Sequence, residues 1–438
     1  MLQKQKAHGP QSILEALSNL DNARNRGLFM PFPGPTLQVP LSERPGLRPH
    51  GLQGLILEVT ERCCLRCSYC LHSGDYLDER VHSGKQMSFE VASRAIEFFL
   101  DGAREDCYID FYGGEPLLRK RFLEDCMRLA SRLRPGCAFA ISTNGYLLGP
   151  RFDSLLRTYR PKLCVSLDGP RTVHDRFRVL PSGEGSFARI IANLERLAKL
   201  DGEYFRSRVR LNVLVAASGE IEKTIRFFRR SRLLRDIPVA VLNVGLAGMN
   251  EETRLRWSAR MSAAHLTAAR DRYLLGLSRG DLSGLGFEHS LFGGGLKVLL
   301  NRDRSPIGDA YCNARLCVVG ALRLHVGATG TFRPCAKTAR LPVIGHADSG
   351  YDLDAIRRIR EEWLSTCDPC KRCWALRLCR VCYKDIYSGD GGSRVDPDEK
   401  FEACERHRSG MSSALTLYME ALEGDSTVFS RLEDRFRF

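Results

Sequence analysis

The stretch Thr60-Glu61-Arg62-Cys63-Cys64-Leu65-Arg66-Cys67-Ser68-Tyr69-Cys70 follows the strand-forming run Leu55-Ile56-Leu57-Glu58-Val59 and carries cysteines in the spacing C-x3-C-x2-C, with an aromatic before the last. A loop that presents three thiolates at the end of a strand can hold one iron-sulfur cluster. A 4Fe-4S cubane has four irons to ligate, so one iron stays open to another molecule's ligand. Zinc knuckles and ribbons usually set two C-x2-C pairs across a longer spacer, which this run does not match. Disulfides fit less well still: no charged-then-apolar signal segment opens the chain, and the context reads as reducing cytosol, so a cytoplasmic location is expected.

Downstream, strand-like and helical runs alternate. Cys107–Tyr112, Ala138–Ser142, Leu163–Leu167, Val209–Val215 and Val239–Leu246 read as further strands. Helices are expected from an N-cap at Ser88 to about Leu100, over Phe122–Leu133, Phe187–Leu200 and Ile221–Arg230, and as one longer helix near Glu252–Leu277. Repeated βα units imply a parallel sheet, and six of them suggest a partial (β/α)6 TIM-like barrel in an α/β fold, with ligands at the loops after the strands. Residues 1–50 differ: Ile13–Leu20 reads as one short helix before a Pro-rich stretch from Pro31 to Pro49, an arm or partial leader-binding segment. The expected division is 1–50 arm, 51–300 barrel, 301–410 cysteine-rich domain and 411–438 helical tail.

Composition narrows the function. No apolar run approaches the roughly 20 residues that span a bilayer. Lys and Arg number 66 against 52 for Asp and Glu, a formal charge of +14. That excess fits a solvated arginine-rich surface or attraction of an acidic partner. Basic clusters such as Arg226–Arg232 lack the usual nucleic-acid signatures, which argues against a nucleic-acid partner. There are 17 cysteines, seven between Cys63 and Cys137 and nine between Cys312 and Cys404, a density that points to metal. Cys64, Cys107, Cys126, Cys137 and Cys164 lie outside the metal patterns and are expected to be buried small hydrophobes.

Three further motifs fall at strand ends. In Tyr112-Gly113-Gly114-Glu115-Pro116, the glycines permit close approach of a ligand to the backbone and Glu115 can accept from an ammonium group. Ser142-Thr143-Asn144-Gly145 offers short polar side chains, and Ser166-Leu167-Asp168-Gly169-Pro170 precedes Arg178. With the three-cysteine loop, this series resembles the radical S-adenosylmethionine (SAM) enzymes. The resemblance implies that Cys63, Cys67 and Cys70 hold a 4Fe-4S cluster whose open iron takes the amino and carboxylate groups of SAM, cleaved on electron transfer to a 5′-deoxyadenosyl radical. It implies further that Tyr69, Gly113, Gly114, Glu115, Ser142, Asn144, Ser166, Arg178 and Val215 line the SAM site. Gly113–Glu115 would hold the methionyl amino group, Ser166 and Arg178 its carboxylate, and Val215 would pack on adenine. Asp168 suits its own turn as well as substrate.

The last third carries Cys312-x4-Cys317, then Cys335, Cys370-x2-Cys373-x5-Cys379-x2-Cys382 and Cys404. Eight thiols suffice for two 4Fe-4S clusters or for two zinc sites. Behind the three-cysteine loop, this part resembles the SPASM extension, a small α+β domain. By that resemblance Cys312, Cys317, Cys335 and Cys382 ligate a first auxiliary cluster, and Cys370, Cys373, Cys379 and Cys404 a second, making three clusters in all. Two residues stand between Cys379 and Cys382 where the pattern has three, and Cys367 forms a second C-x2-C with Cys370, so Cys382 and Cys367 stay open.

The stretches Leu77–Ser88 and Phe111–Leu118 look most like maturases of ribosomally made peptides. That implies an oxidoreductase that abstracts hydrogen from a precursor peptide and installs a thioether or carbon-carbon crosslink, served by a flavodoxin or ferredoxin as electron donor. The anaerobic sulfatase maturases, which form formylglycine, are the alternative; there an Asp follows the cysteine matched to Cys335, where this chain has Ala336. About 50 residues precede the barrel, with one clear helix and no helix-turn-helix pattern, so a winged-helix leader-binding domain is expected to be truncated or absent, and leader binding would fall to the arm, the basic surface or a separate protein. A non-enzymatic metal-cluster protein that binds nucleic acid would explain charge and cysteines but not the ordered strand-end motifs. No acid, His or Tyr stands out as a catalytic base.

Overall fold

The computed structural model describes residues 18, 35–38, 51–77, 79–246, 248–304, 308–313, 316–336, 340–388, 394–432 and 436. Six strands run parallel in chain order: β1 Leu52–Thr60, β2 Ala103–Gly113, β3 Ala138–Thr143, β4 Lys162–Ser166, β5 Val209–Val215 and β6 Val239–Asn243. Between them stand α1 Phe89–Asp101, α2 Lys120–Leu133, α3 Asp153–Tyr159, α4 Arg171–Phe177, α5 Phe187–Leu200, α6 Gly202–Arg208 and α7 Ile221–Arg230. Ser88 caps α1 as expected, its Oγ accepting from Val91 N at 3.2 Å. The last strand stops at Asn243, short of Leu246.

The period of two along each strand decides what each face does. Leu55, Leu57 and Val59 of β1, Ile109 and Phe111 of β2, Ile141 of β3, Leu163 and Val165 of β4 and Leu211 and Val213 of β5 are buried in one core with the helices. The alternate positions carry Tyr108, Asp110, Tyr112, Ser142, Cys164, Ser166 and Asn212, each partly accessible. A parallel sheet covered on both faces reads hydrophobic throughout. A polar second face therefore lines a space rather than a core.

The sheet does not end with the barrel. Arg323–Val326 (β7) pairs in parallel with the free edge of β1, Leu55 opposite Leu324 and Leu57 opposite Val326. Thr331–Arg333 (β8), Gly345–His346 (β9) and Gly350–Tyr351 (β10) continue it antiparallel, giving ten strands. The cysteine-rich third is thus hydrogen-bonded to the strand that carries the three-cysteine loop.

The single long helix expected near Glu252–Leu277 is two: α8 Glu251–Ser258 and α9 Thr267–Arg279, with a 3-10 turn at Ala263–Leu266. Ser218 makes the break. Its N–H donates to Arg260 O at 3.0 Å and its Oγ accepts from Ser262 N at 2.8 Å, pulling residues 260–262 out of helical pairing. Helices α9, α10 (Gly286–Leu300) and α12 (Pro397–Gly424) enclose a second core around Tyr273, Leu296 and Leu417, and α11 (Leu353–Ser365) precedes the last cysteines. The helix expected at Ile13–Leu20 lies outside the described residues apart from Ser18, which is helical. Of the Pro-rich arm, Thr36–Gln38 pairs in parallel with Ala310–Cys312, Gln38 opposite Cys312. Among the described residues no helix is long and apolar enough to cross a membrane.

Candidate functional site

At the C-terminal end of β1 the chain is tied to the end of β2. Gly114 N donates to Thr60 O at 2.7 Å and Glu115 N to Arg62 O at 2.8 Å. A Cβ on Gly113 would come closer than 3 Å to Thr60 O, and one on Gly114 closer than 3 Å to Arg62 O. The glycines are therefore required by the three-cysteine loop itself, whose backbone occupies the space a side chain would take. Leu65 N donates to Cys63 Sγ and His72 N to Cys70 Sγ, each at 3.4 Å.

Burial pushes the Cys67 thiol up to about 12; Arg178 opposes the rise, and Cys70 and Cys63 add to it. The three sulfurs thus lie within electrostatic reach of one another, partly accessible, with backbone N–H groups aimed at two of them. This donor set fits a positively charged iron core that displaces the thiol protons. Cys64 departs from expectation. It is only half-buried, hydrogen-bonds to Cys63 and receives the Asn144 amide, Nδ2 to Sγ, at 3.4 Å. Cys164 is also only half-buried, on the polar face, whereas Cys107, Cys126 and Cys137 are buried as expected.

Glu115, fully buried, accepts from Leu117 N at 2.9 Å and Thr143 Oγ1 at 2.7 Å on Oε1, and from Asn144 N at 2.8 Å on Oε2. Burial pushes its carboxyl up to about 7 against these donors. Both oxygens are engaged within the chain, so the group first of all bolts the end of β2 to the end of β3. Asn144 Nδ2 also points to Cys63 Sγ at 3.7 Å. Ser142 Oγ donates to Asp110, 3.3 Å from either oxygen. Burial pushes Asp110 up to about 6, with Ser142 and Arg323 opposing. Asp110 escaped the sequence reading, although the alternation Tyr108-Asp110-Tyr112 within an apolar strand signals a polar inner face.

Across the opening, Asp168 carries a network. It accepts from Tyr69 OH, from Arg178 Nε at 2.9 Å and from Leu214 N at 3.0 Å. Burial works against the Arg178 charge, but Asp168, Tyr69 and Cys67 hold its pKa well above the usual value. The guanidinium lies 5.3 Å from the Tyr69 ring centre and 4.0 Å from Cys67 Sγ. Ser166 ends β4 opposite Asn212, and Val215 ends β5, buried. The structure thus gathers all nine expected SAM-site residues at the same end of the sheet, around the three-cysteine loop.

Behind this network His174 Nδ1 accepts from Asp168 N at 3.2 Å, so its Nε2–H faces Ser186 Oγ at 2.9 Å. Burial, reinforced by Arg178, pushes His174 down to about 3. Burial with Arg333, Arg80 and His72 does the same to His325. The unfolded chain takes up these protons near pH 6.5, so the stabilisation is fully present above that pH and lost as pH falls toward 3. Each histidine is expected to cost about 1.4 kcal/mol between pH 7.5 and 5.5. Anaerobic thermal melts across that range test this: His325→Gln should flatten the pH dependence of the midpoint, and an unchanged slope would refute the assignment.

The remaining thiols fall into two groups. Burial pushes Cys379 up to about 11, and Cys404, Cys370 and Cys373 add to it. Burial pushes Cys382 up to about 12, with Asp385 and Cys335 contributing, and the buried Tyr383 hydroxyl feels Cys317, Cys382 and Cys312. Electrostatically, Cys379 thus neighbours Cys404, Cys370 and Cys373, and Cys382 neighbours Cys335. Among the described residues no three His, Cys, Asp or Glu side chains converge on a single-ion site; thiols that each take a separate iron of a cubane need not converge. Outside the three-cysteine loop, a cavity of about 660 Å³ is lined by Arg66, Cys67, His72, Arg176, Trp257 and Arg260, among others.

Comparison with known proteins agrees with this geometry. Over 198 residues the chain is 26% identical to the cysteine-type anaerobic sulfatase-maturating enzyme of Clostridium novyi (strain NT), covering 43% of this chain and 51% of that one. Over 177 residues it is 30% identical to the GTP 3′,8-cyclase of Pseudomonas putida (strain GB-1), covering 40% and 49%. The chain thus spans about half the length of these curated relatives. The solved structure "Native anSMEcpe with bound AdoMet and Cp18Cys peptide" superposes with a TM-score of 0.58 at 18% identity, covering 88% of this chain and 99% of that one, which shows a shared fold. Residues 57–228 match the Radical SAM superfamily, and the α/β fold with its mostly parallel sheet is the one expected from the sequence.

Proposed function

We propose that this protein is a radical SAM enzyme that oxidises a residue of a peptide substrate, and more specifically a maturase that crosslinks a ribosomally made precursor through a thioether or carbon-carbon bond. The observation that carries this is the placement of Cys63, Cys67 and Cys70 at one end of the sheet, facing Asn144 and the Tyr69–Asp168–Arg178 network across a polar inner face. When bound, a 4Fe-4S cluster and SAM supply a 5′-deoxyadenosyl radical, which removes a hydrogen atom from unactivated carbon.

The chain's own residues do the positioning. Cys63, Cys67 and Cys70 leave one iron for SAM. Arg178, kept charged by Asp168, suits the methionyl carboxylate; Ser142 and Asn144 offer hydroxyl and amide groups for ribose; Val215 supplies an apolar wall for adenine. An ammonium group would come as a fourth donor to Glu115, beside the backbone of Gly113 and Gly114. The two C-terminal thiol sets would hold the auxiliary clusters that take the electron left after bond formation. A flavodoxin or ferredoxin as donor, and a separate leader-binding protein, complete the assembly.

A second reading, oxidation of a cysteine to formylglycine, is favoured by the likeness to sulfatase-maturating enzymes; Ala336 after Cys335 speaks against it. Intact mass of a candidate precursor after anaerobic co-expression separates the two. A crosslink removes two hydrogens, about 2 mass units per site, whereas cysteine to formylglycine removes about 18, two hydrogens plus the exchange of sulfur for oxygen. No mass change in any precursor encoded beside this protein, with 5′-deoxyadenosine still released, would sink the peptide assignment.

A further inference from the structure

Lys400, in the first turn of α12, is 5% exposed. Its Nζ donates to Thr366 O at 2.8 Å, to Thr366 Oγ1 at 2.9 Å and to Cys367 Sγ at 3.3 Å, and stands 4.3 Å from the Trp363 ring centre. Three donors and an aromatic face are thereby used, as an ammonium group requires. Yet among the described residues no carboxylate pairs with it; its neighbour Glu399 is bound to Arg340 at 2.9 Å. A buried ammonium without an opposite charge is costly. The side-chain acceptors nearest to hand are the Thr366 hydroxyl and the Cys367 sulfur.

Cys367 is itself buried, and its Sγ donates to Trp363 O at 3.1 Å. Cys370 N donates to Cys367 O at 3.0 Å, the two side chains share a hydrogen bond, and Cys404 stands one turn after Lys400 on α12. Five thiols, Cys367, Cys370, Cys373, Cys379 and Cys404, are one more than a 4Fe-4S cluster takes, and the lysine hydrogen-bonds to both Cys367 and Cys370.

We propose that Lys400 is the fixed counter-charge of the C-terminal cluster, that Cys367 stands outside its coordination shell, and that Lys400 raises the reduction potential of that cluster. This rests on the reading that Cys370, Cys373, Cys379 and Cys404 hold an auxiliary 4Fe-4S cluster. The potential of such clusters follows net charge and hydrogen bonds to sulfur. A positive charge held in low dielectric beside the ligands stabilises the one-electron-reduced form, which carries one more negative charge. The arrangement makes this cluster a better acceptor for the electron that bond formation releases.

The test uses full-length protein, reconstituted anaerobically, with Cys63, Cys67 and Cys70 all replaced by Ala so that only auxiliary clusters titrate. Dithionite supplies the single electron each cluster takes up, with no bond made or broken, and paramagnetic resonance follows the reduced form. Cys370→Ala should lose one cluster's iron and identify its signal. Cys367→Ala should keep the iron. Lys400→Met should keep the iron and shift that signal's midpoint negative by at least tenfold in the reduction equilibrium, 59 mV for one electron, leaving the other cluster's midpoint in place. Lys400→Gln, which keeps two donors and removes the charge, carries the same expectation should the Met variant fail to fold. An unmoved midpoint with iron intact overturns the counter-charge, and iron loss in Cys367→Ala overturns the placement of Cys367 outside the shell. Unchanged iron in Cys370→Ala overturns the cluster reading and the inference with it.

Discussion

Cys67→Ala should abolish release of 5′-deoxyadenosine from SAM, by at least about a thousandfold, equivalent to about 4 kcal/mol of barrier. The reason is geometric. In the proposed site three thiols would hold three irons of the cluster and leave one for SAM, and Cys67 Sγ is the sulfur that also faces the Arg178 guanidinium at 4.0 Å. Its removal would take both that ligand and the group that links the loop to the Arg178–Asp168 network. Cys64→Ala, one residue from Cys63 but outside the triad, should stay within about tenfold of the parent, because it loses only its hydrogen bonds to Cys63 and Asn144. Nucleoside release measured by chromatography under dithionite decides the matter. Equal activity in the two variants would sink the assignment of the triad.

Gly114→Ala is expected to cost about 3 kcal/mol. The new Cβ would meet the Arg62 carbonyl, a backbone atom that cannot rotate away, so the whole three-cysteine loop must shift. Both cross-strand bonds, Gly114 N to Thr60 O and Glu115 N to Arg62 O, would stretch with it. Gly84→Ala offers the comparison, since nothing lies within 4 Å of its Cβ position; it should change stability by no more than about 0.5 kcal/mol. Thermal midpoints and iron content report the two effects separately. A Gly114→Ala protein with parental midpoint and full iron content would show that the loop is not held as described.

Much of this was legible because the chain writes its periods locally. Phe187–Leu200, Ile221–Arg230 and Val209–Val215 begin and end where apolar spacing and caps say they should. The three-cysteine loop and the strand-end motifs were legible because chemistry demands particular residue types at fixed separations. What failed to show was set by tertiary contact. Nothing between Glu252 and Leu277 marks a helix break, since Ser218, which makes it, is some forty residues away in sequence. A further reason for Gly113 and Gly114 was hidden for the same cause: the backbone of residues 60–62 occupies the space a side chain would take, and no local pattern announces it. Asp110 could have been found by parity, because an acid at an alternate position of an otherwise apolar strand must face somewhere wet or polar.

The pairing of β7 with β1 carries a consequence for how the protein is made. Leu324 and Leu57 belong to adjacent strands, yet more than 260 residues of chain separate them. During synthesis at about 5 to 20 residues per second, β1 emerges, gains β2 on one side, and waits on the order of ten seconds or more with its other edge bare. Exposed parallel edges are slow to close and prone to pairing with the wrong chain. Growth temperature, codon pace and chaperone supply should therefore govern the yield of intact protein more strongly than the stability of the finished fold, and a truncation before Arg323 would leave that edge without its partner for good.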